Sequence, residues 1–388
     1  MAIRIRVLIA DDNALMRAAV EQVLSADPRI EVVGQARDGQ DAVEQAAALR
    51  PDVITMDFQM PRLNGAEAIR EIFRDRPRPV VMLTEHAGAG ARETVEGLAA
   101  GAVDFVAKPA GDGAVDLAGI AQQLVEKVLV AAGARPLSPL TAAPATEAVP
   151  TGGEARAERT TVNLRGPELA GALAAAEARI AALEAAQAAR ATRAKATSAL
   201  EPVVIITLST GGQAALERVL PRLPADFPAG VLIVQNLPGL LTAALAERLD
   251  RLCPLRVREA REGDRISTGT VLVAPGDYHV VVDEAGGLKL EQGPAVNGCR
   301  PSADVTFESA AAVYGGRMIG VAMTGVGNDG ALGLAAVRAA SGRVVAQDRE
   351  TSAIWEMPRA AIEGEIAHDT VGVDLLAPLL RSLAEGLT

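Results

Sequence analysis

Two series of short apolar runs, each run followed by a stretch of helical periodicity, set the strongest limit on what this chain can fold into. The first series is IRVLIA, IEVVGQA, DVITMD, PVVMLT and VDFVAK, starting at Ile5, Ile30, Asp52, Pro79 and Val103. The second is VVIITL, AGVLIVQ, GTVLVAPG, RMIGVAMTG and GRVVAQD, starting at Val203, Ala229, Gly269, Arg317 and Gly342. Apolar runs alternating with helices of about 10–15 residues specify βαβ units, whose crossovers make the strands parallel. The expected fold class is therefore α/β, with two doubly wound parallel-sheet domains and ligand sites at the carboxyl ends of the strands. A strand-loop-strand stretch, DYHVVVDEAGGLKLEQ, adds an antiparallel element to the second.

A chain of 388 residues exceeds what one hydrophobic core ordinarily serves. The boundaries expected are 1–130 for the first domain, 131–200 for a linker and 201–388 for the second domain. In the linker, ARPLSPLTAAPATEAVPTGGEAR reads as flexible and partly extended. Leu169, Leu173, Ala176, Ile180 and Leu183 then recur at spacings of four and three. They place an amphipathic helix over 167–197, either lying on the protein's own surface or pairing two chains into a dimer.

A net charge of -11 argues against nucleic acid as a partner, because phosphate binding needs a basic stripe. Cys253 and Cys299 stand far apart without metal-ligand spacing, as expected of a protein in the reducing cytoplasm. Charges interrupt the first apolar run, and no run reaches the roughly 18 apolar residues of a membrane span.

Chemistry-bearing residues of the first domain fall at its expected strand ends. Asp11 and Asp12 follow the first strand, Asp57 the third, Thr84 the fourth and Lys108 the fifth. Clustered carboxylates repel one another unless a hard cation joins them, and an oxygen-only donor set suits Mg²⁺. An aspartate beside such an ion, with an ammonium and a hydroxyl nearby, is equipped to accept a phosphoryl group. Any one of these residues alone could be a helix cap or a surface lysine. As a set, spread over residues 4 to about 128, they resemble the response-regulator receiver domain. That resemblance implies Asp57 as the phospho-acceptor, Asp11, Asp12 and Asp57 as the Mg²⁺ ligands, Thr84 and Lys108 as phosphate-reading groups, and Phe105 as an aromatic switch.

In the second domain, VVIITLSTGGQAALERVL places Ser209 where a strand turns into a helix. Three roles compete there: helix cap, part of a phosphate cradle, or nucleophile raised above the sheet. The glycine and lysine spacing of a phosphate loop is absent. The order of STGGQAALERVLPRLP, ALAERLDRLC, GTVLVAPGDYH, GPAVNGCRPSADVTFESAA, MTGVGNDGA and MPRAAI resembles the catalytic domain of chemotaxis-type protein-glutamate methylesterases, the CheB family, over about 203–385.

That resemblance implies a cytoplasmic hydrolase that removes methyl esters from chemoreceptor glutamates, many members also deamidating glutamines. A histidine kinase is the implied phosphoryl donor, and phosphorylation lifts the receiver's block of the esterase cleft. Ser209 matches the family's nucleophile and Asp329 its triad aspartate, with Thr210, Gly211, Gly212, His279 and Met323 expected at the cleft. Two positions depart from the family pattern. Asn236, in QNLP, stands where the general-base histidine belongs, and Thr207 and Leu208 replace small residues before the serine, where they are expected to narrow the turn. An asparagine amide cannot take the serine proton. Three histidines remain: His279 as the rescue candidate, and His86 and His368 as loop and surface residues. Arg300, Ser302 and Asp304 either frame the cleft or cap the next helix, and Met357-Pro358-Arg359 is either a family segment or a helix start with proline at its first position.

Overall fold

The structure, a computed structural model, describes residues 4–84, 90–108, 117, 119–137 and 200–387. The expected amphipathic helix at 167–197, most of the linker and His86 lie outside the described residues. The receiver and esterase regions fall together in one compact unit.

The first sheet has five parallel strands in the order β2-β1-β3-β4-β5: β1 (Ile5–Ala10), β2 (Ile30–Ala36), β3 (Val53–Asp57), β4 (Val80–Thr84) and β5 (Asp104–Ala107). Helices α1 (Ala14–Ser25), α2 (Gly39–Leu49), α3 (Gly65–Asp75), α4 (Gly90–Ala99) and α5 (Ala121–Ala132) cover its two faces. One face buries Leu8, Ile54, Met56 and Ile69, and the other Val7, Ile9, Val81 and Leu124. Strands buried on both faces read as continuous apolar runs, which is why they were visible in the sequence. Asn13, not Asp11 or Asp12, caps α1 by accepting from the N–H groups of Leu15 and Met16. The two aspartates are thereby left to the crevice.

The second sheet has seven parallel strands in the order β14-β13-β12-β6-β7-β9-β8. They are β6 (Val203–Leu208), β7 (Gly230–Gln235), β8 (Arg256–Glu259), β9 (Thr270–Val273), β12 (Met318–Ala322), β13 (Arg343–Gln347) and β14 (Asp369–Val371). β10 (His279–Val282) and β11 (Leu288–Glu291) form the expected antiparallel hairpin. The short edge strands β8 and β14 carry little apolar signal and were not visible in the sequence. The helices are α6 (Gly212–Val219), α7 (Gly239–Leu252), α8 (Ala303–Tyr314), α9 (Ala331–Ala339), α10 (Glu356–Glu363) and α11 (Val373–Glu385). From β6 the chain runs out through β7 to the edge strand β8, comes back to insert β9 between them, and then crosses to β12 on the other side of β6. The carboxyl ends of β6 and β12 therefore flank the topological switch point, the usual place for a site in an open α/β sheet.

The two sheets share apolar contacts. Ala91 and Val95 of α4 are buried within the core cluster that holds Leu216, Leu245 and Val321 of the second region. Burying a valine side chain contributes roughly 1.5–3 kcal/mol, so this contact gives the apposition a firm apolar base. Among the described residues no helix is long and apolar enough to cross a membrane.

Candidate functional site

The carboxyl ends of β1, β3, β4 and β5 bring the predicted receiver residues together. One carboxylate oxygen from each of Asp11, Asp12 and Asp57 lies within 4.8 Å of the other two. Lys108 Nζ sits 2.9 Å from Asp11 Oδ2 and 2.8 Å from Asp57 Oδ1. Thr84 ends β4 and is buried. Burial pushes the Asp57 carboxyl up to about 6 against the opposing pull of Lys108, while Asp57 and Asp11 together outweigh burial and raise Lys108. Three carboxylates against one ammonium leave a net deficit of positive charge with only oxygen donors, which fits a small divalent cation such as Mg²⁺. Phe105 follows Asp104 in β5, and its ring lies 4.7 Å from Lys127 Nζ.

In the second region Ser209 is the first residue past β6. Leu208 pairs with Gln235, so Asn236 is the first residue past the neighbouring β7. Ser209 N–H donates to Thr324 O at 3.0 Å, tying the turn to the end of β12. The helix-cap reading does not hold: the N-cap of α6 is Gly211, and no side chain caps it. Gly211 has φ 78°, and a Cβ there would meet the Ala353 Cβ at 2.5 Å. Glycine satisfies both constraints at once. Gly212 is likewise required, because Leu208 Cδ1 would lie 2.3 Å from a Cβ placed on it.

Thr207 and Leu208 do not crowd the approach to Ser209. Both are buried in β6, with Leu208 filling the space beneath Gly212. Met323 is not a cleft residue either: it is fully buried in the core and donates its N–H to Thr207 O. Thr324, buried like Met323, braces the turn from beneath, its hydroxyl 3.1 Å from both Thr210 O and Ile354 O.

Asp329 is committed to a structural task. Its Oδ1 accepts from the Ser302 hydroxyl at 2.6 Å and from Asn297 Nδ2 at 3.1 Å, and its Oδ2 accepts from Ala303 N at 2.7 Å. It caps α8 from across the fold, and Ser302, at the N-cap position, provides no side-chain cap itself. Asp304 is buried in the first turn and accepts from Gly333 N–H and Asn297 Nδ2. Arg300 donates to Gly293 O and, through its N–H, to Asn236 Oδ1 at 3.4 Å. Among the described residues no hydrogen bond joins Ser209 Oγ, Asn236 and Asp329.

His279 does not supply the missing base. Its Nδ1 accepts from Ser302 N–H at 3.2 Å, which leaves Nε2 to donate to Pro294 O at 2.9 Å. Both ring nitrogens of a neutral imidazole are thus occupied. His368 is the exposed residue expected, although its Nδ1 accepts from Val344 N–H at 3.0 Å and the desolvation there lowers its pKa. Pro358 is the third residue of α10, not the first.

Sequence reasoning missed Asp104. Thr210 Oγ1 donates to Asp104 Oδ2 at 2.9 Å, and Gly211 N–H donates to Val103 O at 2.8 Å. The start of β5 therefore sits directly on the Ser209 turn and occupies a backbone donor at the open N-terminus of α6. Lys127 holds that strand in place, donating to Asp104 Oδ1 at 2.7 Å and to Phe105 O at 2.6 Å. The one available signal was a carboxylate inside the apolar run VDFVAK.

A phospho-acceptor-type acidic crevice at the carboxyl ends of one sheet, whose strand β5 rests by its opposite end on a serine turn at the switch point of another sheet, defines a receiver-bearing regulator with an esterase-type output domain. The response regulator receiver domain family model matches residues 7–117, and the CheB methylesterase model matches residues 204–380. A protein-glutamate methylesterase/protein-glutamine glutaminase of Symbiobacterium thermophilum is 43% identical over 383 residues, covering 98% of each chain. One of the same description from Geobacillus kaustophilus is 38% identical over 387 residues, again 98% of each. The crystal structure of the Thermotoga maritima CheB methylesterase catalytic domain is 35% identical, covers 47% of this chain and 99% of that one, and superposes with a TM-score of 0.46. The chain belongs to the CheB methylesterase family.

Proposed function

We propose that this protein is a phosphorylation-gated chemotaxis regulator acting in the cytoplasm on chemoreceptor glutamyl esters and glutaminyl amides, with hydrolysis slowed by the lack of a general base. Residues 1–130 form the input domain and 201–388 the output domain. Asp57 is the phospho-acceptor: one of its carboxylate oxygens attacks phosphorus, a P–O bond forms, and the P–N bond to the histidine kinase breaks with its electron pair leaving on the imidazole. Asp11, Asp12 and Asp57 would hold Mg²⁺, which when bound supplies charge neutralisation for the phosphoryl oxygens. Lys108 adds a fixed positive charge, and Thr84 a hydroxyl. The names of the relatives and the acidic crevice support this reading.

On the output domain, Ser209 Oγ is the candidate nucleophile and the N-terminus of α6 the candidate oxyanion site once the β5 contact to Gly211 N–H is released. The observation that carries the slow rate is Asn236 at the first position past β7, beside Ser209. An amide accepts no proton at neutral pH, so the serine proton must pass to water. A second reading, a regulator that binds receptor without turning it over, is favoured by the full engagement of both His279 nitrogens. Methanol release from a methylated receptor fragment tests the two: slow release abolished by Ser209→Ala supports the first, and none in wild type supports the second.

A further inference from the structure

Beside the Ser209 turn lies a cavity of about 390 Å³, walled by the end of α5 and Arg135 on one side and by Arg349, Trp355 and Arg359 on the other. The two walls come from different sheets' regions, joined at the cavity by Arg135 N–H donating to Ala353 O at 2.9 Å. We propose that this cavity binds a small multivalent anion, a phosphoester or a polycarboxylate, and that the anion fastens the receiver over the serine.

The charge arrangement is the argument. In a chain of net charge -11, three guanidiniums line one cavity. Arg135 and Arg349 have no carboxylate partner among the described residues, and Arg359 has only Glu363 at 3.9 Å. Glu356, the one acidic residue in the lining, is turned to Gly327 N–H through Oε2 at 2.8 Å. Uncompensated like charges facing one cavity are stabilised by an anion, and guanidinium forks match phosphate and carboxylate oxygens in pairs. Arg349 also lies over the Trp355 ring at 5.4 Å, which fixes its plane at the cavity wall. A cavity of this size suits a small ligand, and it exists only while the two regions are apposed. A ligand held from both sides favours the apposed state by its differential affinity, and separation of the regions must weaken its binding in equal measure.

Trp355 is the only tryptophan in the chain and reports on its own wall. The full-length protein is titrated with pyrophosphate and, separately, with citrate at constant ionic strength, reading tryptophan fluorescence. The expected result is a saturable change with at least one of the two, their relative affinities separating the phosphoester from the polycarboxylate source. Arg135→Gln, remote from the ring, and Arg349→Gln should each weaken binding about tenfold or more, the loss expected for one charge-assisted contact. The Ser209→Ala protein should titrate like wild type, so this result stands or falls apart from ester hydrolysis. Absence of a saturable change with both anions, affinity unaltered in both arginine variants, or response only to an acidic peptide overturns the proposal.

Discussion

Asp104, the first residue of β5, accepts a hydrogen bond from the Thr210 hydroxyl at 2.9 Å, so a receiver carboxylate touches the residue that follows Ser209. The neighbouring bond from Gly211 N–H to Val103 O makes the same strand end a plug in the N-terminus of α6. Lys127 ties this plug to Phe105, the position of the expected aromatic switch, through both the Phe105 carbonyl and its ring. A displacement of Phe105 therefore moves the groups that cover the serine turn.

Thr210→Val or Asp104→Ala removes the side-chain bond while leaving the apolar contact of Val95 in place. A hydrogen bond to a charged group is worth roughly 1.5–3 kcal/mol net, less here because both groups are only part-buried. Amide exchange at Gly211 should accelerate roughly five- to tenfold in either variant, on that estimate. Exchange at the wild-type rate in both would mean that the side-chain bond does not hold the cover.

Acetyl phosphate with Mg²⁺ should place a phosphoryl group on the wild-type chain and none on Asp57→Ala. Lys108→Ala should slow labelling by roughly 10²-fold, as for loss of one preorganised charge at a phosphoryl centre. Chelating the divalent cation should abolish labelling without unfolding the chain, read by circular dichroism. Equal labelling of wild type and Asp57→Ala would remove the acceptor assignment.

Asp304 gives stability a definite pH dependence. Burial, reinforced by the charge of Asp329, pushes its carboxyl up to about 6 from 3.8, against the hydrogen bonds from Gly333 N–H and Asn297. The folded state thus holds this proton more tightly than the unfolded state, and the stabilisation is complete below about pH 4 and lost as pH rises through about 6. The ceiling on this contribution is roughly 3 kcal/mol. Asp304→Asn has no proton to lose there, so urea melts should show the variant gaining on wild type as pH rises across that window. A difference independent of pH would contradict the assignment.

The two thiols should be slow nucleophiles. Burial pushes Cys253 up to about 12 and Cys299 up to about 11, each reinforced by nearby carboxylates. Alkylation of the native protein at pH near 8 should run on the order of 10²-fold slower at Cys299 and 10³-fold slower at Cys253 than that of a free cysteine, because the thiolate is the reacting form. Fast labelling of either would contradict its burial.

What the sequence made legible follows from where the signal is local. The ten apolar runs announced ten strands, most plainly the central β3, β4, β6, β7 and β12, which are buried on both faces, and Asp11, Asp57, Thr84 and Lys108 could be placed together because strand ends converge in an open α/β sheet. Ser209 was harder. Locally a serine before a helix reads as a cap, and only the fold puts the cap at Gly211, two residues on. Thr207 and Leu208 looked like obstructions because one-dimensional order does not say that both are buried, with Leu208 beneath Gly212. Asp329 is legible as an acid within the glycine-flanked GNDG but not as the distant cap of α8. The Asp104–Thr210 contact joins residues 106 apart in sequence and has no periodicity to betray it.

The central claim is that Ser209 lacks a partner to take its proton, because Asn236 occupies the position beside it. The most direct measurement is methanol release from a methylated receptor fragment by wild type, Asn236→His and Ser209→Ala, each phosphorylated on Asp57. A positioned general base contributes about 10²–10⁴-fold, so Asn236→His should gain within that range, and Ser209→Ala should fall to background. Asp329 is already held by Ser302, Ala303 and Asn297, which places the gain toward the lower end. No gain from Asn236→His, with wild type already turning over at a rate that Ser209→Ala abolishes and that the histidine cannot improve, would contradict the account.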